Sequence, residues 1–250
     1  MIRISPIPAF QDNYIWLIHN HQYAVVVDPG DATPVIAYLE QHQLKLEAVL
    51  ITHHHADHIG GVEDLLAYQA CKVYAPKKEQ YLFAHQAVAD HQNIQFEHLP
   101  IQLEVIEVPG HTLGHVAYYG ANSLFCGDTL FGAGCGRLFE GTPPQMFSSL
   151  QKLASLGPET AVYCAHEYTE RNLAFAETLE PLNLNLQTRI IETKRLRANH
   201  QPSLPSSIEL ELQTNPFLRC HSKEIARNLN LANAELIEIF TALREARNSF

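Results

Sequence analysis

The sequence predicts an α/β fold, a layered strand-and-helix domain followed by a smaller all-helical one, and three observations carry that prediction. β-branched and aromatic runs alternate with helical patterns up to about residue 168. Four of those strand-like runs deliver histidine or aspartate at or just past their C-terminal ends, at His53 to His58, His111, Asp128 and His166. From Thr169 onward strand-like runs almost vanish. The expected domains are therefore residues 1–168 and 169–250.

The elements follow in order. "YIWLI" and "YAVVVD", joined by the turn-like "HNHQ", read as a hairpin, and "PGDATPVIAYLEQHQ" as a turn entering a helix. "LEAVLIT" is a short, nearly continuous apolar run, as expected of a strand covered on both faces. It ends at "HHHADHIGG", after which "VEDLLAYQA" reads as a helix and "KVYA" as a strand. "LEVIEVPGHT" repeats the scheme of a strand running into a histidine loop, and "VAYYGANSLFCGDT" reads as a hairpin whose second strand ends in aspartate. A helix over "PPQMFSSLQKLASL" precedes the strand "TAVYCAHE". The rest is helical in "TERNLAFAETLE", "LNLNLQTRIIETKRLRAN" and "NAELIEIFTALREARN", with "QPSLPSS" as a Pro/Ser loop between them.

Composition narrows the function. A net charge of −10 with no Lys/Arg run argues against a nucleic-acid surface, so an anionic substrate must be met by a few locally placed cations. The five cysteines are odd in number, far apart and form no CxxC pair, so buried thiols in a reducing, cytoplasmic setting are expected. No apolar run approaches the roughly 18 residues that span a bilayer. Of the 15 histidines, His21, His42, His85, His91, His98 and His200 lie in polar or mixed surroundings and are expected at the surface.

The chemistry concentrates in "HHHADH". In extended backbone, residues two apart point the same way, so His53 and His55 can share one ion. Asp57 and His58, where the chain turns toward the next helix, can face a second. Imidazoles with carboxylates suit zinc or a similar first-row ion, and each ion needs about three or four protein ligands. The loop supplies only four, which leaves His111, Asp128 and His166 to complete two sites, Asp128 being the one carboxylate among them able to bridge. His54, between two ligands, should point away, and His115 is expected to support the ligands at most.

"THHHADH", "PGHTLGH", "FCGDTLF" and "AHEYT" together resemble, in order, the metal-ligand motifs of the metallo-β-lactamase superfamily. The resemblance implies an αββα sandwich. "GCGRLFEG", "TNPFLR" and "LREARNSF" extend it, over nearly the whole chain, to the glyoxalase II family of hydroxyacylglutathione hydrolases. It implies two divalent ions, zinc first with iron or manganese as alternatives, held by His53, His55 and His111 and by Asp57, His58 and His166, with Asp128 bridging.

Two ions about 3.5 Å apart acidify a bridging water toward neutrality, so a hydroxide flanked by Asp57 and Asp128 is the expected nucleophile. A thioester suits this machinery, because a thiolate leaves without a strong general acid. Arg244 and Arg247, i and i+3 on the last predicted helix, share a face and can grip a carboxylate. The family places basic residues at this spacing on the glycine carboxylate of glutathione, and Arg137 and Tyr168 match further substrate contacts. Phe139 is a departure: some members carry a tyrosine there, so one hydrogen bond to glutathione is expected to be missing.

The expectation is thus a monomeric cytoplasmic thioester hydrolase acting on S-(2-hydroxyacyl)glutathione, typically S-D-lactoylglutathione, in methylglyoxal detoxification. Two rivals stand beside it. One is a mononuclear iron glutathione-persulfide dioxygenase, which shares the motif set but lacks the helical domain with its arginine pair. The other is a metal-free binding module on the same sandwich, against which all seven ligand positions being filled argues.

Overall fold

The run "LEAVLIT" forms the strand Lys45–Leu50, and from Ala48 to Ile51 no residue is more than 1% exposed. The computed structural model describes residues 1–250. It divides into two compact units, residues 1–107 with 113–127 and residues 108–112 with 128–250.

In the first unit six strands form one sheet, in the order Arg3–Ala9, Asn13–His19, Tyr23–Val27, Lys45–Leu50, Lys72–Pro76 and Gln86–Val88. The first three are antiparallel, and from Tyr23–Val27 onward neighbours are parallel. Alternation then sorts the side chains. Val26, Val49, Ile51, Val73 and Ala75 share a core with Val35 and Leu39 of the helix Ala32–His42 and Leu65 of the helix Val62–Tyr68. The opposite face meets the antiparallel strands Gln102–Glu107, Val116–Gly120 and Ser123–Gly127, where the buried Tyr118 hydroxyl donates to Ile51 O at 2.6 Å. Burying an aliphatic side chain such as Val49 or Ile51 contributes about 1.5–3 kcal/mol, so covering both faces fixes the register of the central strands.

That register matters because it brings two strand ends together. Asp28 N donates to Leu50 O at 2.9 Å, so the chain leaves Tyr23–Val27 beside the start of the histidine loop. Gly30 makes the approach possible: a Cβ there would lie 2.0 Å from Asp57 O.

In the second unit the helix Pro143–Ala154 starts in a capping box of Thr142 and Gln145, and the helices Thr169–Leu179, Leu184–Ala198 and Leu236–Ser249 match the expected segments. Between them, two buried charges form a hub. Arg189 donates to Glu211 Oε1 at 2.6 Å, and Glu211 Oε2 accepts from Ala133 N at 2.8 Å and Asn215 Nδ2 at 2.9 Å. Asn215 also donates to Phe131 O and Gly134 O. "TNPF" thereby holds the small hairpin of Leu130–Phe131 and Gly134–Cys135, which follows Asp128.

The structure adds elements that the sequence reading leaves out. Arg3–Ala9 is a strand despite Pro6 and Pro8, and it lies at the sheet edge, where a missing N–H is tolerated. Ser206–Ser207, inside "QPSLPSS", pairs with Ala161–Cys164, and the helices Ile208–Thr214 and Lys223–Asn228 are too short to show periodicity. All five cysteines are free thiols. Burial pushes Cys71 up to about 11 and Cys164 and Cys220 up to about 12, so none of these three is a thiolate at neutral pH. No helix is long and apolar enough to cross a membrane.

Candidate metal centre and substrate pocket

The histidine loop of the first unit is arranged as the two-residue spacing requires. His53 Nε2 and His55 Nδ1 face each other at 3.0 Å. The chain then enters the short helix Ala56–Ile59, which turns Asp57 and His58 together, with Asp57 Oδ2 3.5 Å from His58 Nε2. His54 points elsewhere, with Nδ1 3.3 Å from Glu79 Oε2. His115, fully buried, stacks on His53 with ring centroids 4.6 Å apart.

Asp28, which the sequence reading treats only as a strand end, sets the protonation of this loop. Its carboxylate accepts from Thr52 N at 2.8 Å and Thr52 Oγ1 at 2.7 Å, and it lies 3.0 Å from His58 Nδ1. The Thr52 hydroxyl, having given its proton to Asp28, must accept from His53 Nδ1 at 3.1 Å. Both His53 and His58 therefore carry their proton on Nδ1 and turn an Nε2 lone pair inward. Asp28 holds a left-handed φ of 52°, a backbone state that Asp tolerates better than most residues. Asn13 Nδ2 donates to Asp57 Oδ2 at 3.1 Å.

The second unit carries the complementary donors. His111 Nδ1 donates to Arg137 O at 2.7 Å, so its Nε2 lone pair faces Asp128 Oδ2 at 3.4 Å. The other oxygen, Asp128 Oδ1, lies 3.4 Å from His166 Nε2. One carboxylate thus presents a separate oxygen to each of two imidazoles.

These contacts fit a metal. Lone pairs of His58 and His111 aimed at carboxylate oxygens repel unless a cation lies between them. The separations of 3.4 to 3.5 Å are long for hydrogen bonds. They match the roughly 3.3 Å edge between two tetrahedral ligands bonded to an ion at 2.0–2.1 Å. Within each unit, then, the His and Asp donors fit a divalent metal ion.

Beside Asp128, within the second unit, opens a cavity of about 320 Å³. Every expected substrate residue lines it: Arg137, Phe139, Tyr168, Arg244 and Arg247. Tyr168 stacks on His166 with centroids 4.7 Å apart and an interplanar angle of 4°. Phe139, 60% exposed, sets its ring edgewise to His111 at 5.2 Å. The two arginines of the last helix do unequal work. Arg244 is buried, donates to Cys135 O at 2.7 Å and lies 5.1 Å over the Phe217 ring, so it secures the "GCG" turn. Arg247 is half-buried and donates through Nε and Nη2 to Asn172 Oδ1. Burial first, then the neighbouring Arg171 and Arg244 guanidinia, hold Arg247 below the usual arginine range. Asn172 and Arg171, also lining the cavity, are residues the sequence reading missed, because in "TERNLAF" they look like a solvated helix face.

Known proteins repeat this organisation. The metallo-beta-lactamase superfamily model matches residues 10–166, and the model of the hydroxyacylglutathione hydrolase C-terminus matches residues 167–250. The chain is 56% identical to a hydroxyacylglutathione hydrolase of Methylobacillus flagellatus, with all of both chains covered. It is 51% identical to one of Photobacterium profundum, again over the full length of both. Among solved structures, ETHE1 from Myxococcus xanthus covers 100% of this chain and 98% of its own at a TM-score of 0.67, but at 23% identity that likeness speaks for the fold alone. The αββα sandwich with a C-terminal helical domain is thus a shared architecture, and full-length identity at this level decides the branch. The chain belongs to the hydroxyacylglutathione hydrolase family of the metallo-β-lactamase superfamily.

Proposed function

We propose that this protein hydrolyses S-(2-hydroxyacyl)glutathione thioesters, typically S-D-lactoylglutathione, to glutathione and the 2-hydroxy acid. The observation that carries the reading is the full-length 56% identity to a hydroxyacylglutathione hydrolase, joined to a cation-lined cavity beside an Asp/His donor set. The match of residues 167–250 to the hydrolase C-terminus favours this activity over the persulfide dioxygenase. The filled ligand positions favour it over a metal-free binding module.

In this reading His53, His55 and His111 hold one divalent ion, Asp57, His58 and His166 hold a second, and Asp128 serves both. The pairing of His53 with His55, that of Asp57 with His58, and the division of the Asp128 oxygens between His111 and His166 support the partition. When bound, such ions polarise a carbonyl and acidify water. The protein's own contribution is positional. Asp28 and Thr52 fix the imidazole tautomers, and the Arg137 carbonyl does so for His111. Asp57 and Asp128 are the carboxylates nearest the chemistry. Residues 169–250 are proposed as the helical substrate-binding domain, with Arg247 held by Asn172 to meet the glycine carboxylate of glutathione. Arg244 holds the turn that carries Arg137, and Tyr168 walls the cavity. The leaving thiolate needs no strong acid, consistent with a pocket lined mainly by arginines, in which His111 and Asp128 are expected metal ligands and Cys135 and Tyr168 are the other ionisable groups.

Zinc as the resident metal follows from the donor chemistry, with iron and manganese as alternatives. The free thiols fit a reducing cytoplasm, and a monomer is the proposed state. Metal analysis and a thioester assay test the whole. Close to two ions per chain and release of D-lactate from S-D-lactoylglutathione are expected. His58→Ala should abolish turnover and lower the metal count toward one. One iron per chain with oxygen uptake on glutathione persulfide would overturn the reading.

A further inference from the structure

The cavity beside Asp128 is lined by four arginines, 137, 171, 244 and 247. None is paired with a carboxylate, in a protein that carries 27 Asp and Glu residues against 17 Lys and Arg. Asp128, the only acid in the lining, faces His111 and His166. Arg244 keeps a buried Nε with no hydrogen-bond partner. Arg171 is exposed at the rim and makes no ion pair, and it sits in the first turn of the helix Thr169–Leu179, where the helix dipole disfavours a cation. Arg247, already held below its usual range by burial and by Arg171, would be eased by an anion among these groups. Arg247 lies in the last turn of the helix Leu236–Ser249, where a cation is favoured, but Arg171 is placed against its own helix dipole and beside Arg247, which helix stability does not explain. One carboxylate uses one planar fork, or two at most. Arg244 is engaged by Cys135 O, so Arg137, Arg171 and Arg247 are left to the cavity, more guanidinia than one carboxylate uses, and they call for a ligand with more than one anionic group.

We propose that Arg171 is a specificity residue that binds the second carboxylate of the substrate, the one on the γ-glutamyl end, while Arg247 and its neighbours take the glycine carboxylate. This rests on the glutathione-thioester reading above. It makes the site selective for peptide thioesters that carry both carboxylates over shorter acyl-thiols.

Two substrates separate the possibilities: S-D-lactoylglutathione, and S-D-lactoyl-N-acetyl-L-cysteinylglycine. The second keeps the glycine carboxylate and lacks the γ-glutamyl one, and its blocked amine prevents acyl migration. Arg171→Ala in the metal-loaded enzyme should raise KM for the glutathione thioester about two- to fivefold, the range of a solvent-exposed ion pair, with kcat little changed. It should leave KM for the truncated thioester where it was. Arg171→Lys should recover most of the loss and Arg171→Glu should deepen it, each with a native circular dichroism spectrum. A parallel rise for both substrates would show that Arg171 acts on the shared carboxylate and would overturn the inference, as would no change for either. A wild-type enzyme that hydrolyses neither thioester would instead overturn the hydrolase reading, and this inference with it.

Discussion

The histidine loop of the first unit and the arginine cavity of the second are opposite in kind. In the loop, acceptors are aimed at acceptors: with Nδ1 protonated toward Asp28, the Nε2 lone pair of His58 looks at the Asp57 carboxylate 3.5 Å away. In the cavity, guanidinium donors line open space without carboxylate partners. The first is an excess of electron pairs that a cation would satisfy, and the second an excess of positive charge that an anion would satisfy. The support differs in the same way. Asp28 and Thr52 set tautomers and leave the ring positions to the strand end. Backbone carbonyls and Asn172 hold Arg244 and Arg247, so the cavity depends on how its turn and helices are built.

The largest effect expected from breaking this contrast lies beneath the cavity. Glu211→Ala strands the buried Arg189 and removes acceptors from Ala133 N and Asn215 Nδ2, which together hold the hairpin after Asp128. Removing one partner of a buried pair costs about 3–5 kcal/mol, to be read as a lowered urea midpoint. Replacing both partners, Arg189→Met with Glu211→Leu, should cost less, since no charge is left alone. Equal losses for the single and double variants would assign the support to packing rather than to the ion pair.

The next effect belongs to the loop. Asp28→Ala frees the tautomers of His58 and, through Thr52, of His53. Loss of an outer partner of this type weakens metal affinity about 10–100-fold. Competition with a chromophoric chelator measures it, and affinity for free glutathione should hold steady if the two regions are as separate as their chemistry. Metal affinity equal to wild type would remove Asp28 from the account.

The same contrast explains what the sequence disclosed. His53, His55, Asp57 and His58 lie within six consecutive positions, their spacing follows backbone geometry, and an apolar strand precedes them, so their grouping is legible residue by residue. His111, Asp128 and His166 are legible more weakly, as polar residues at separate strand ends. Asp28 stands at a strand end too, but in "VVVDPG" a lone aspartate before Pro-Gly reads as a turn residue. Glu211 and Arg189 were illegible: "IELELQT" and "LQTRIIETKR" have the charge density of surface helices, and only the tertiary arrangement buries one charge of each against the other. Arg171 was hidden likewise, since nothing local tells a solvated helix face from a cavity wall. The strand Arg3–Ala9 was missed because Pro6 and Pro8 argue against a strand everywhere except at an edge.

The smallest effect tests whether the cavity is as well made as the loop. Phe139 is 60% exposed and stands edgewise to His111, so its para position can take a hydroxyl without disturbing a core. Phe139→Tyr would add the donor that some family members carry. A single hydrogen bond in a half-wet site contributes about 0.5–1.5 kcal/mol, and exposure places this one at the low end. KM for S-D-lactoylglutathione should therefore fall about two- to threefold with kcat unchanged, because the gain is made equally in the ground and transition states. A change in kcat instead would mean that the ring at 139 governs His111 rather than the substrate, and would tie the cavity wall to the metal donors through that one edge contact.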